Sequence, residues 1–180
     1  FTLDVAIPGL LHLAVLGSPH AHARILDIDS SAARAVPGVV AVLTHHDALE
    51  GRYSTARHHH REDDPDDTRL LDDVVRFVGQ RVAAVVADTR ALAEDAAELV
   101  QVDYEPLPFV LDGEAAYAPG SPIVHPDHGS NVLLDRTFVW GEVDKDFAES
   151  PHRLSLRVTW GRSSTVPVET FGVLASWDPW

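Results

Sequence analysis

The run Val82–Ala87, "VAAVVA", constrains this 180-residue chain more than any other stretch, because six apolar residues in succession are followed at once by Asp88-Thr89 and a segment of helical spacing. A strand with no polar alternation has no face to give to water, so the run is expected at the centre of a sheet, buried on both sides. Asp88 or Thr89 then caps a helix that places Leu92, Ala96, Leu99 and Val100 on one face, with Leu92, Ala96 and Leu99 predicted to pack inward. Val102 and Tyr104 alternate in the strand after it.

A unit of similar kind occupies residues 10–44. "LLHLAVL" and "ARILDID" read as strands, "SSAARAVPG" as a Ser-capped short helix stopped by Pro37-Gly38, and "VVAVLT" as a returning strand. Two such units without strict repetition predict a mixed α/β domain. Between them, residues 57–68 form a His-rich, acidic loop by composition. Pro106, Pro108, Pro119, Pro122 and Pro126 mark a surface connector, assigned to residues 113–130. Residues 131–180 carry alternating runs, "LLDRTFVW", "RLSLRVTW" and "VLASWD", that predict strands around Phe138, Leu156 and Leu174. The expected division is therefore 1–112 as the first domain, a connector, and 131–180 as the start of a second, truncated one.

Charge removes one class of function. The formal net charge is −14, from 28 acidic and 14 basic residues, and Lys145 is the sole lysine. Phosphate neutralisation needs clustered Lys and Arg, so no nucleic-acid partner is expected. No apolar stretch approaches the ~20 residues that a membrane span requires. The absence of cysteine rules out disulfides, zinc thiolates and iron–sulfur ligation by this chain's own residues.

Metal ligands would have to be histidines or carboxylates. His20 and His22 stand at i and i+2 in "SPHAHARI"; if extended, both point to one side with Arg24 beyond them. Arg24 is a poor neighbour for a cation, and the favoured role is structural, with the alanines allowing close packing and the imidazoles bonding to backbone. His45-His46 before Asp47 read as part of a turn. His58, His59 and His60 could bind metal adventitiously, and the acidic run 62–67 lacks the glycine pivot of a calcium loop and is broken by Pro65. The Gly-x-Ser-x-Gly, Gly-x-x-x-x-Gly-Lys and Gly-x-Gly-x-x-Gly motifs are missing. Gly79-Gln80 is a single-glycine turn into a strand. Glu169, in "TVPVETFGVLASWD", is a carboxylate among apolar residues, expected to form a structural ion pair, with Arg162 as a candidate partner.

Taken in order, "PGLLHLAVLGSPHAHARILDIDSSAARAVPGVVAVLT" and "VRFVGQRVAAVVADTRALAEDAAELVQVDYEPLP" closely resemble the amino-terminal α/β hammerhead domain of the molybdenum-carrying large subunit of the xanthine dehydrogenase, aldehyde oxidase and aerobic carbon monoxide dehydrogenase family. "VPVETFGVLASWD" looks like the entry into that subunit's first molybdopterin-binding domain. The resemblance covers nearly the whole chain apart from the His-rich loop. It implies a hydroxylase in which water supplies the oxygen and molybdenum, held by the pterin rather than by histidines, accepts two electrons. Iron–sulfur clusters and FAD on partner subunits would carry these onward, in a cytoplasmic dimer of heterotrimers. It also implies that the pterin-contacting and catalytic residues come later than this sequence, so no catalytic, cofactor-binding or metal residue is assigned here. The absence of methionine and the strand-like opening "FTLDVAIPGLLHLAVL" lead us to expect part of a longer polypeptide, itself inactive. A stand-alone hammerhead module serving assembly or binding is the alternative. Carbon monoxide, purines, aldehydes and aromatic acyl thioesters are all substrates of relatives with this front end.

Overall fold

The computed structural model describes residues 4–55, 65–161, 166, 168 and 171–178. The chain divides into two compact units, Pro8–Asp135 and Phe1–Ile7 with Arg136–Trp180.

Among the described residues, the first unit contains six strands in two three-stranded sheets. Strands β1 (His12–Gly17), β5 (Arg81–Ala87) and β3 (Val39–Leu43) form one, in the order β1-β5-β3. Strands β4 (Val74–Val75), β2 (Ala23–Asp29) and β6 (Gln101–Pro106) form the other, in the order β4-β2-β6. Every pairing is antiparallel. The two strand–helix–strand units are therefore crossings between sheets. Helix α1 (Ser31–Arg34) leads from β2 to β3, and α2 (Arg90–Ala97) leads back from β5 to β6.

The expectation for "VAAVVA" holds for its central place and for Val82, Ala83, Val85 and Ala87, which are fully buried, but not on both sides throughout: Val86, on the outer face of the sheet, is only half-buried. Its side chains serve two cores by strand alternation. Ala83 and Val85 pack with Val42, Ala96, Ala97 and Val100, whereas Val82 joins Ala23, Ile25 and Val75 on the second sheet.

Helix α2 starts where the sequence places it, with the Thr89 side chain accepting a hydrogen bond from the Leu92 N–H at 3.2 Å. Its buried face needs correction. Ala93, Ala96 and Ala97 face the core, Leu92 is half-buried, and Leu99 is 42% exposed. The helix ends at Ala97, and the chain then tightens into i→i+3 bonds, Leu99 N–H to Ala96 O and Val100 N–H to Ala97 O. That change from 3.6 residues per turn turns Leu99 outward and Val100 inward. Three small side chains against the sheet let the helix axis come close to it.

Residues beyond β6 remain with this unit through helix α3 (Gly113–Tyr117), capped by Asp112, and a 3₁₀ turn at Pro126–His128. Asn131 staples the stretch: its Oδ1 accepts from Val124 N–H, and its Nδ2 donates to Pro122 O and Ala116 O.

In the second unit the strands expected around Phe138, Leu156 and Leu174 do not form among the described residues. Helix α4 (Val143–Glu149) is the regular element there. Alternation selects which side chains share a face, but a strand also needs a neighbour for its N–H and C=O groups. Phe138 stacks on Trp140 with ring centres 6.1 Å apart, and Arg153 lies over the Phe147 ring. Leu156, Val158 and Val173 are exposed.

Candidate functional site

Among the described residues, a closely bonded polar arrangement lies in the first unit, around the turn from β4 into β5. Asp72 is 6% exposed. It accepts from Arg76 Nη1 at 2.7 Å and from the Asp73 N–H at 3.0 Å. Burial pushes its carboxyl pKa up, but these bonds and the Arg76 charge outweigh it and leave the group below the ordinary carboxylate value. Arg76 Nη1 also donates to Val74 O, and the Gln80 side chain closes the turn by accepting from Arg76 N–H at 2.6 Å and donating to Val74 O at 3.2 Å. Gly79 takes φ +86°, and Gly17 approaches its backbone so closely that a Cβ on Gly17 would lie 3.2 Å from Gly79 Cα. Gly79-Gln80 is thus the structural turn that the sequence suggested.

Two cavities of about 420 and 360 Å³ flank this turn and share Asp67, Arg76 and His125 in their walls. Arg52 and Asp127 pair across the first at 2.5 Å. Burial, then the Arg76 charge, holds His125 below the ordinary imidazole pKa. Tyr53 bridges to Thr68 through backbone bonds of 2.9 and 3.1 Å and accepts a hydrogen bond from Arg81. These charges are engaged with one another, as in a network that fixes loops. Asp72, Arg76 and Asn131 were not singled out from sequence, and Gln80 only as part of the Gly79-Gln80 turn. The i, i+4 spacing of Asp72, Arg76 and Gln80 was the available signal, and here it serves a turn rather than a helix.

The histidines separate. His20 and His22 lie in the bend between β1 and β2, not on an extended strand, so their i, i+2 spacing does not align them. His20 packs its ring on Tyr104 at 4.8 Å. His22 is buried, and its Nδ1 is 2.6 Å from Pro108 O, while Leu107 N–H donates to His22 O. This is the backbone-bonded role expected of the pair, realised by His22. His45 and His46 pack with ring centres 4.0 Å apart and planes tilted by 41°, in a turn closed by Thr44 N–H and Oγ1 donating to Asp47 Oδ2. Burial, then the charge of His46, lowers the His45 pKa against the opposing pull of Asp73, Asp72 and Asp47. His58, His59, His60, Glu169 and Arg162 lie outside the described residues.

The described residues do not fit a molybdenum–pterin group. No set of three or more His, Asp or Glu among them is placed to hold a metal ion. Their positive-φ glycines, such as Gly38, Gly79 and Gly129, each serve a separate turn rather than a run that could cradle a phosphate. No helix among them is long and apolar enough to cross a membrane.

Comparison with known proteins places this scaffold. The family described as "Aldehyde oxidase and xanthine dehydrogenase, a/b hammerhead domain" matches residues 1–108. The carbon monoxide dehydrogenase large chain of Hydrogenophaga pseudoflava is 37% identical over 98% of this chain and 23% of its own length. The nicotine 6-hydroxylase large subunit of Paenarthrobacter nicotinovorans is 38% identical over 97% of this chain and 22% of its own. Among solved structures, the aldehyde oxidoreductase from Desulfovibrio desulfuricans superposes with a TM-score of 0.72 at 34% identity, covering 84% of this chain and 17% of that one. The chain thus spans less than a quarter of the length of the curated relatives it matches.

Proposed function

The chain belongs to the aldehyde oxidase and xanthine dehydrogenase a/b hammerhead family, and on that premise we propose that it is the hammerhead-containing portion of the large chain of a molybdenum hydroxylase, an oxidoreductase. The observation that carries this reading is the similarity along nearly the entire chain, at 37–38% identity, to large chains of two different oxidoreductases. The bound molybdenum cofactor would supply the two-electron chemistry that adds water-derived oxygen to the substrate. We assign this chain a scaffold role, with the seat of the cofactor in the remainder of the large chain. In this reading residues 1–112 are the hammerhead, 113–130 the connector and 131–180 the beginning of the cofactor-binding region. Partner subunits carry iron–sulfur clusters and FAD, and the assembly is a cytoplasmic dimer of heterotrimers. Relatives described as a large chain, a large subunit and a complex subunit support a multi-subunit enzyme over a stand-alone module.

The test compares the complete natural polypeptide, co-expressed with its partner subunits, with residues 1–180 in a host that makes the cofactor. We expect stoichiometric molybdenum and dye reduction from the complete protein and neither from residues 1–180. Stoichiometric metal with activity in residues 1–180 would place the site within this chain and overturn the assignment.

A further inference from the structure

The outer face of the β1-β5-β3 sheet is apolar across all three strands. Register places Leu13 beside Val86 and Val86 beside Ala41, and, one step along, Val15 beside Ala84 and Ala84 beside Leu43. On the other side of the same sheet, Ala14, Leu16, Val42, Ala83 and Val85 belong to the core, so alternation alone turns these six outward. Leu13 is 58%, Val15 49% and Leu43 39% exposed. At one end the face is covered: Val82, two residues before Ala84, is sealed against Ala23, Ile25 and Val75. The face therefore continues an existing core outward. Its relief is a shallow trough, floored by Ala84 and walled by Val15 on one side and Leu43 on the other.

We propose that this trough seats an apolar segment from the remainder of the same large polypeptide, an inference that rests on the reading above. Relatives matching this chain end to end are more than four times its length, so such a segment has ample sequence to come from. A second copy is a poorer occupant, because a net charge of −14 on each partner opposes self-association of a face that has no charge of its own. Six outward apolar residues in cross-strand rows form a contiguous patch of the kind that marks an interface, unlike scattered surface leucines.

The chain has no cysteine, so Val15→Cys and Leu43→Cys each place one thiol in it on the trough wall, and Asp95→Cys places one on the exposed side of α2 as reference. Maleimide labelling of each site would be followed by peptide mass spectrometry in the complete natural large chain, with and without its partner subunits. Both trough sites should label at least about a hundredfold more slowly than position 95, as expected when labelling waits on local opening, and removal of the partner subunits should leave that protection intact. Labelling at the reference rate overturns the proposal. So does protection that vanishes with the partner subunits, which assigns the trough to them, or protection that fades on dilution, which assigns it to a second copy. Val15 and Leu43 are read separately, so a misfolded single variant leaves the other to decide. Molybdenum content is measured on the same samples: fast labelling in a loaded enzyme defeats this inference alone, whereas an empty complete protein defeats the functional reading.

Discussion

Gly38 and Leu92 meet so closely that a Cβ on Gly38 would lie 2.6 Å from Leu92 Cδ2, and Gly38 itself holds φ +91°. The turn after α1 is thereby locked against the helix that covers the sheet. Gly38→Ala imposes both a clash and a backbone conformation that an L side chain resists, and should destabilise by about 2 kcal/mol or more. Urea denaturation of Gly38→Ala, Leu92→Ala and the double variant separates the two causes. The clash is relieved in the double variant because Leu92 is gone. The backbone cost remains, so the double variant should still be less stable than Leu92→Ala.

Thr89 supplies the side-chain cap of α2 through its bond from Leu92 N–H. Thr89→Ala should cost about 1 kcal/mol, and Thr89→Ser should restore most of it. Equal loss in both variants would show that the threonine methyl, rather than the cap, matters.

His22 anchors the exit from β6 through Pro108 O, at a site 8% exposed. Removing the imidazole leaves that carbonyl without its partner. His22→Phe should therefore destabilise by roughly 1–3 kcal/mol and speed backbone exchange at Leu107, whose N–H bonds to His22 O.

Acid should weaken the fold in two windows. The His45 pKa is lowered below 6.5 by burial first, so the folded state resists its proton, and that stability is present above pH 6.5 and lost as pH falls through the lowered value. Asp72 also sits below its ordinary value of 3.8, so its contribution is present above that pH and is lost as pH falls further. Urea midpoints across pH 3–8 should decline in both windows. His45→Phe should reduce the upper decline and leave the lower one unchanged, the remainder belonging to His125, which burial lowers in the same way; an upper decline unchanged in that variant would assign it to His125 or another group.

All four tryptophans, Trp140, Trp160, Trp177 and Trp180, lie beyond residue 135, and Trp140, Trp160 and Trp177 are 78, 82 and 89% exposed. Tryptophan emission from residues 1–180 should resemble that of the free amino acid in water and stay nearly constant through the unfolding that far-UV circular dichroism detects in the first unit. Coincident transitions by the two probes would mean that the second unit is packed.

The first unit was largely legible in the linear sequence because its decisive signals are local. A run such as Val82–Ala87 has no solvent face to offer, Thr89 bonds within its own helix turn, and Pro37-Gly38 ends α1 without help from elsewhere. The bland reading of His22 was legible too, although its partner, Pro108, is 86 residues away and only folding brings them together. The Asp72–Arg76 pair that braces the Gly79-Gln80 turn escaped notice because its residue types are ordinary surface types, and an i, i+4 spacing reads as readily as helix.

By itself, then, the sequence determined the order β1, β2, α1, β3, β5, α2, β6 in the first unit, though not β4 or α3, together with the central place of β5, the lack of thiolate chemistry in a chain without cysteine, and the family. Tertiary structure alone decided that the two strand–helix–strand units cross between antiparallel sheets, that Leu99 yields its inward place to Val100, and that Leu13, Val15 and Leu43 share an open face. It also decided that the alternating runs after residue 135 stay unpaired among the described residues. The reason is common to all of these. Periodicity records which side chains avoid water, whereas pairing, register and the covering of a face depend on backbone groups and surfaces far away in the chain, which no local pattern encodes.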